Sequence, residues 1–163
     1  MIPLTLALYQ PDIPQNAGTM LRACACLGVE AAIIGPAGFP VTDSAFRRAG
    51  MDYLDLVTIR RHASFDAFQS WRAAQAAAGA GRRLLLLSTR AATPYTAIAY
   101  QPGDLLLVGR ESAGVPDEVF AAADIALRIP MAPPARSLNV AVAAAMVMGE
   151  ALRQLGRDAP NAC

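Results

Sequence analysis

The stretch Asp104-Leu-Leu-Leu-Val-Gly-Arg-Glu-Ser-Ala-Gly-Val-Pro116, followed about a dozen residues later by Ile129-Pro-Met-Ala-Pro-Pro-Ala-Arg-Ser-Leu-Asn-Val140, decides the fold. Each segment leaves a buried apolar strand and enters a loop of Gly, Pro and polar side chains. The second loop opens an apolar helix at Asn139. In open α/β sheets, ligands sit in such loops beyond the carboxyl ends of the strands. Loops this specific in composition do more than connect.

Working outward, strands alternate with helices. Leu4–Tyr9 lies between Pro3 and Pro11 and suits a buried strand. Pro14-Gln-Asn16 sets up a helix with Asn16 as N-cap and Gly28 as its stop. Strands are expected over 31–34, 56–60, 83–87, 105–108 and 125–129. Helices are expected over 43–49, 64–78 with Ser64 as N-cap, from Pro116 at the first turn to Ala122, and 138–155. This order predicts an α/β fold with a mostly parallel sheet and helices on both faces. Residues 1–156 read as a single domain, and 157–163 as a frayed tail.

A chain of 163 residues, 55% hydrophobic, with positive mean hydropathy, is large enough for one packed core and is not disordered. All its basic residues are Arg; this suits phosphate recognition but is equally a product of genomic base composition. A formal charge of +1 lacks the overall basic footprint of a nucleic-acid binder, leaving only the doublets Arg47-Arg48, Arg60-Arg61 and Arg82-Arg83. Cys24, Cys26 and Cys163 have neither metal-ligand spacing nor a disulfide framework, so Cys24 and Cys26 read as core or subsurface residues in a reducing, cytoplasmic setting. The N-terminus reads as a strand and not a signal peptide. The apolar run 140–148 is too short to span a bilayer, but a helix apolar on every side must be buried on every side. That points to a homodimer packed on it; the alternative is a central helix covered within one chain.

The usual chemical kits are missing. There is no G-x-G-x-x-G after the first strand, no P-loop, no G-x-S-x-G elbow and no metal cluster. His62, the only histidine, reads as structural. Three segments remain. Asn16-Ala-Gly18-Thr-Met-Leu-Arg22 places Gly18 and Arg22 on one helix face, leaving room for a phosphate or ribose beside the guanidinium; the plain alternative is a cap and a surface Arg. Gly109-Arg-Glu111-Ser-Ala-Gly114 offers bare backbone and a carboxylate, or simply a tight turn. Ile129-Pro-Met131 and Ser137-Leu-Asn139 bracket a Pro-rich loop whose amides suit an adenine edge. Each is weak alone; at the ends of different strands they define one site.

Together these segments resemble the three motifs of the SpoU-type branch of the SPOUT methyltransferases, over nearly the whole chain. Tyr9-Gln-Pro-Asp-Ile-Pro-Gln-Asn16 and Arg47-Arg-Ala-Gly-Met-Asp-Tyr53 look most like the branch acting on the ribose of the tRNA wobble nucleotide, cytidine or uridine. The resemblance implies a deep C-terminal trefoil knot, a homodimer and S-adenosyl-L-methionine as cofactor, with no metal and no membrane. By matching positions, Leu87, Gly109, Ile129 and Ser137 would line the cofactor, with Met131 and Leu138 alongside. Two departures stand out. Val-Ala-Val-Ala follows Asn139 where relatives carry further Ser or Asn, and Arg110-Glu-Ser-Ala stands where close wobble enzymes often have Pro-Glu-Thr-Arg.

The implied chemistry is in-line transfer of a methyl group to a ribose 2′-oxygen. Arg22 is the family's catalytic arginine. Since a guanidinium stays protonated, it fits stabilisation of the developing alkoxide better than proton removal. Asn16, Glu111, Ser137 and Asn139 would orient it and the ribose. A dimer would align Arg47, Arg48, Arg60 and Arg61 into a patch for an anticodon stem-loop. Other readings are the same chemistry on ribosomal RNA or another tRNA position, a non-catalytic RNA- or cofactor-binding module, and a plain nucleotide-binding α/β enzyme.

Overall fold

The computed structural model describes residues 4–48 and 52–156. Their order is β1 (Leu4–Tyr9), α1 (Pro14–Leu27), β2 (Glu30–Ile34), α2 (Asp43–Arg48), a 3-10 turn (Leu54–Leu56), β3 (Ile59–His62), α3 (Phe65–Ala77), β4 (Leu84–Leu87), β5 (Thr93–Pro94), β6 (Asp104–Val108), α4 (Asp117–Ala122), β7 (Ile125–Arg128) and α5 (Val140–Gln154). All strands pair in parallel, in the order β3-β2-β1-β6-β4-β7-β5.

Strand alternation divides the core in two. On one face Leu6, Leu8, Ile33, Leu106 and Val108 pack under α1 and α5, which also touch each other. On the other, Ala7, Ile34, Leu105 and Leu107 meet Phe68 of α3 and Val119 of α4. The central strands are mostly apolar because both faces are covered, as in parallel sheets generally; Thr5, Glu30 and Asp104 are their buried polar residues. β1 and β6 lie side by side, Leu4 opposite Asp104 and Leu8 opposite Val108. The loops after both strands therefore open at the same edge of the sheet.

Several expectations shift. Asn16 does not cap α1: the helix starts at Pro14 with Ile13 as N-cap, leaving the Asn16 side chain free for tertiary bonds. Gly28 does close it, at φ 62°. The third strand begins at Ile59, since residues 54–56 turn instead, and Pro116 precedes α4 rather than starting it. The two-residue strand β5 had no sequence signal. Ser64 caps α3, its Oγ accepting from the Ala67 amide at 3.1 Å. Cys24 is buried, but Cys26 is exposed and so is no core residue. On α5, Ala144, Val147, Met148 and Ala151 are buried while Val142 and Met146 are 50% and 38% exposed, so the helix is not enclosed within this chain. The expected helix end at Ala49, the frayed tail and Cys163 lie outside the described residues.

Candidate active site

The loops after β4, β6 and β7 enclose a cavity of about 480 Å³. Leu87, Gly109, Ile129, Met131, Ser137 and Leu138 all line it, so the structure brings the six expected cofactor positions together. One wall is bare backbone: a Cβ on Gly109 would meet the Gly114 carbonyl carbon at 2.7 Å. Gly114 itself sits at φ 60°, where a side chain is strained. The pair is closed by reciprocal amide-carbonyl bonds between Arg110 and Gly114.

At the cavity rim three of the singled-out side chains meet. Asn16 Nδ2 donates to Glu111 Oε2 at 3.1 Å, and Asn139 Nδ2 donates to Asn16 Oδ1 at 3.0 Å. Asn139 Oδ1 caps α5 by accepting from the amides of Ala141 and Val142, while the Val140 amide donates to Glu111 at 3.4 Å. One amide side chain on α1 thus links the loops after β6 and β7. Asp12, which sequence reasoning missed, anchors the middle loop: its carboxylate accepts from the Glu111 amide at 3.0 Å, the Ser112 amide at 3.3 Å and the Ser112 hydroxyl. Burial pushes the Asp12 carboxyl up, but these donors outweigh it and hold it below its ordinary value. The signal was present, an Asp just beyond the first strand, but its partners lie a hundred positions away.

Arg22 is elsewhere. It lines a second cavity of about 620 Å³ between α1 and α2, with Gly18, Gln15, Phe39, Asp52 and Tyr53. None of the residues lining the first cavity lines this one. Within one chain the three segments therefore form two cavities, not one site. The Arg22 guanidinium lies 4.9 Å from the Tyr53 ring centre.

A profile of the SpoU rRNA Methylase family matches residues 3–149. The chain belongs to the SpoU methylase family. It is 66% identical to the tRNA (cytidine(34)-2′-O)-methyltransferase of Beijerinckia indica over 162 residues, covering 96% of this chain and 98% of that one. Among solved structures, one described as giving insight into 2-OH methylation of C/U34 on tRNA superposes with a TM-score of 0.84 at 43% identity, over 93% of this chain and 95% of that one. The SpoU methyltransferase AviRb of Streptomyces viridochromogenes, solved in complex with AdoMet, gives 0.84 at 29% identity over 93% of this chain and 60% of its own.

Within one SpoU chain, the four arginines expected to be aligned by a dimer do not share a face. On β3, Arg60 and Arg61 point to opposite faces. Arg60 lies 5.7 Å from the Trp71 ring centre, while Arg61 donates to the Val41 carbonyl and pairs with Asp43. Arg47 pairs with Asp55 at 2.6 Å, and Arg48 Nε donates to the Ser44 carbonyl. His62 is half-buried against Phe68 and Trp71; burial and then the Arg60 charge push its pKa down, which agrees with a structural role. Among the described residues no group of His, Cys, Asp and Glu is arranged to hold a metal ion. Nor, among them, is any helix long and apolar enough to cross a membrane.

Proposed function

We propose that this chain transfers a methyl group from S-adenosyl-L-methionine to the ribose 2′-hydroxyl of the tRNA wobble nucleotide, cytidine or uridine 34. The carrying observation is the Asn16–Glu111–Asn139 junction on the rim of the loop cavity. The activity of the 66%-identical relative, a tRNA (cytidine(34)-2′-O)-methyltransferase, supports the substrate.

The cavity residues fit this cofactor. Its volume is that of an ordinary small-molecule site, Gly114 leaves bare backbone with nothing within 4 Å of an added Cβ, and Leu87, Ile129, Met131 and Leu138 offer apolar enclosure. Glu111 adds a carboxylate to the lining, which would attract a sulfonium cation, and Ser137 would add a short polar contact. When bound, the cofactor supplies an electrophilic methyl group. The chain's part is to hold the acceptor in line with it and to favour negative charge on the ribose oxygen. Arg22, permanently charged, stabilises that oxygen electrostatically. Glu111, oriented by Asn16 and the Val140 amide, positions the ribose with Asn139 and Ser137.

Because Arg22 lies outside the cofactor cavity of its own chain, the reading includes a homodimer that completes the site. The exposed apolar stripe Ile13, Leu138, Val142 and Met146 supports it. The reading also includes the C-terminal trefoil knot. In its favour, Gln154 near the end of α5 is tied to the segment between β5 and β6, donating to the Ile98 carbonyl at 3.1 Å and accepting from the Tyr100 amide at 3.0 Å. One domain over 1–156 and work in the reducing cytoplasm belong to the same proposal. Incubating the purified chain with labelled S-adenosylmethionine and unmodified tRNA, with Arg22→Ala as control, tests it. Label at the wobble ribose, lost in Arg22→Ala, is expected; label at another tRNA position, or on ribosomal RNA alone, would overturn the substrate assignment.

A further inference from the structure

The larger of the two cavities shares no lining residue with the one proposed for the methyl donor. Its floor is Gly18, where an added Cβ would meet nothing within 4 Å, so the helix leaves this space open. Phe39 and Tyr53 supply aromatic walls. Arg22 lies against the Tyr53 ring, so its cation is held at the cavity by stacking rather than by an acid. Asp52 lines the same space, and among the described residues it makes no ion pair with Arg22. A carboxylate and a guanidinium kept apart across an open cavity leave room for a ligand presenting an anion to one and an N–H donor to the other. Single-stranded RNA is recognised by this combination of aromatic or guanidinium planes for the base and cationic groups for the phosphate.

We propose that this cavity seats one unstacked nucleotide of the RNA substrate. Tyr53 and Phe39 are its stacking walls, Arg22 its phosphate or ribose contact, and Asp52 an acceptor for an exocyclic amine, which favours cytidine over uridine. The inference rests on the RNA-methylation reading. Tyr53 has a double part, as a stacking surface and as the residue that positions Arg22. A carboxylate accepting from the cytosine 4-amino group is a standard pairing that uracil, with a carbonyl there, cannot make.

The test uses the full chain and anticodon stem-loop transcripts carrying cytidine or uridine at the wobble position. Gly18→Leu fills the cavity with a better helix former, so the thermal midpoint is not lowered. The KM for the transcript should rise roughly tenfold, the scale of a lost base stack, with S-adenosylmethionine affinity unchanged. Tyr53→Ala should do the same, and Tyr53→Phe should restore the wild-type KM. Asp52→Asn should cut the cytidine-to-uridine ratio of kcat/KM roughly tenfold. Unaltered transcript KM in Gly18→Leu overturns the subsite, and an unaltered ratio in Asp52→Asn overturns its base preference. No transfer to either transcript by the unsubstituted chain overturns the methylation reading, and the subsite with it.

Discussion

Asp12 touches neither cavity wall that would meet the cofactor, yet the position of Glu111 depends on it. Its carboxylate collects two backbone amides and a hydroxyl from the 111–112 turn. Because these donors outweigh the penalty of burial, its carboxyl titrates below 3.8 in the folded chain. The folded pKa is depressed, so the stabilisation is complete above the unfolded value and is lost as pH falls through the folded one. Asp12→Ala should therefore lower the unfolding free energy at neutral pH by about 1–3 kcal/mol. The difference from wild type should shrink as the pH drops below 3.8, as denaturant titrations at several pH values would read. The thiols give a second residue-scale test. Burial pushes Cys24 up to about 12, whereas Cys26, two positions on, is exposed. Iodoacetamide at mildly alkaline pH should alkylate Cys26 and spare Cys24 in the native chain, and label both after unfolding, as peptide mass spectrometry would show. Helical spacing already separates two such thiols, but only the packing of α1 decides which faces the sheet.

Among the elements, the loop between β6 and α4 tolerates least. Gly109 has no room for a Cβ because the Gly114 backbone lies against it, and backbone cannot rotate away as a side chain can. Gly109→Ala should weaken S-adenosylmethionine binding in calorimetry by pushing the Arg110–Gly114 bridge apart, without unfolding β6. At the other end of α5, Gln154 satisfies both the Tyr100 amide and the Ile98 carbonyl. Gln154→Leu leaves both groups unpaired in a part-buried setting and should cost about 1–3 kcal/mol in thermal or denaturant unfolding. Elements with their own local signals were legible in the sequence: Ser64 as a cap, Gly28 as a stop, Asn139 at the start of α5, and the apolar runs of β1, β2, β4 and β6. Those defined by distant partners were not. β5 is two residues long and exists only because β7 lies beside it. Asn16 carries a cap's chemistry but spends it on Glu111 and Asn139, contacts no local pattern encodes.

At the scale of the whole molecule, the sheet order sets what the site can be. β6 enters beside β1 although β2 to β5 intervene in the chain, and this juxtaposition delivers Glu111 to Asn16. The motifs placed the segments at one edge of the sheet, but strand adjacency is a long-range property, and only the structure shows Arg22 lining a separate cavity within one chain. In one chain Arg22 lines its own cavity, six residues along α1 from Asn16, the contact of the loop after β6. In the proposed homodimer a second copy would supply the missing proximity. Val142 and Met146 lie four residues apart on one side of α5 and stay 50% and 38% exposed, with Leu138 just before the helix and Ile13 before α1 also uncovered. These exposed apolar side chains are the surface on which the proposed homodimer would pack. Met146→Asp places a charge in that surface without touching either cavity's lining. Analytical ultracentrifugation should find the unsubstituted chain dimeric and Met146→Asp monomeric. Methyl transfer should fall with the dimer while S-adenosylmethionine binding persists, because the loop cavity is built within one chain and the arginine is not. A Met146→Asp monomer with full transfer activity would mean that Arg22 reaches the cofactor cavity of its own chain by moving, and the homodimer would then have no catalytic part.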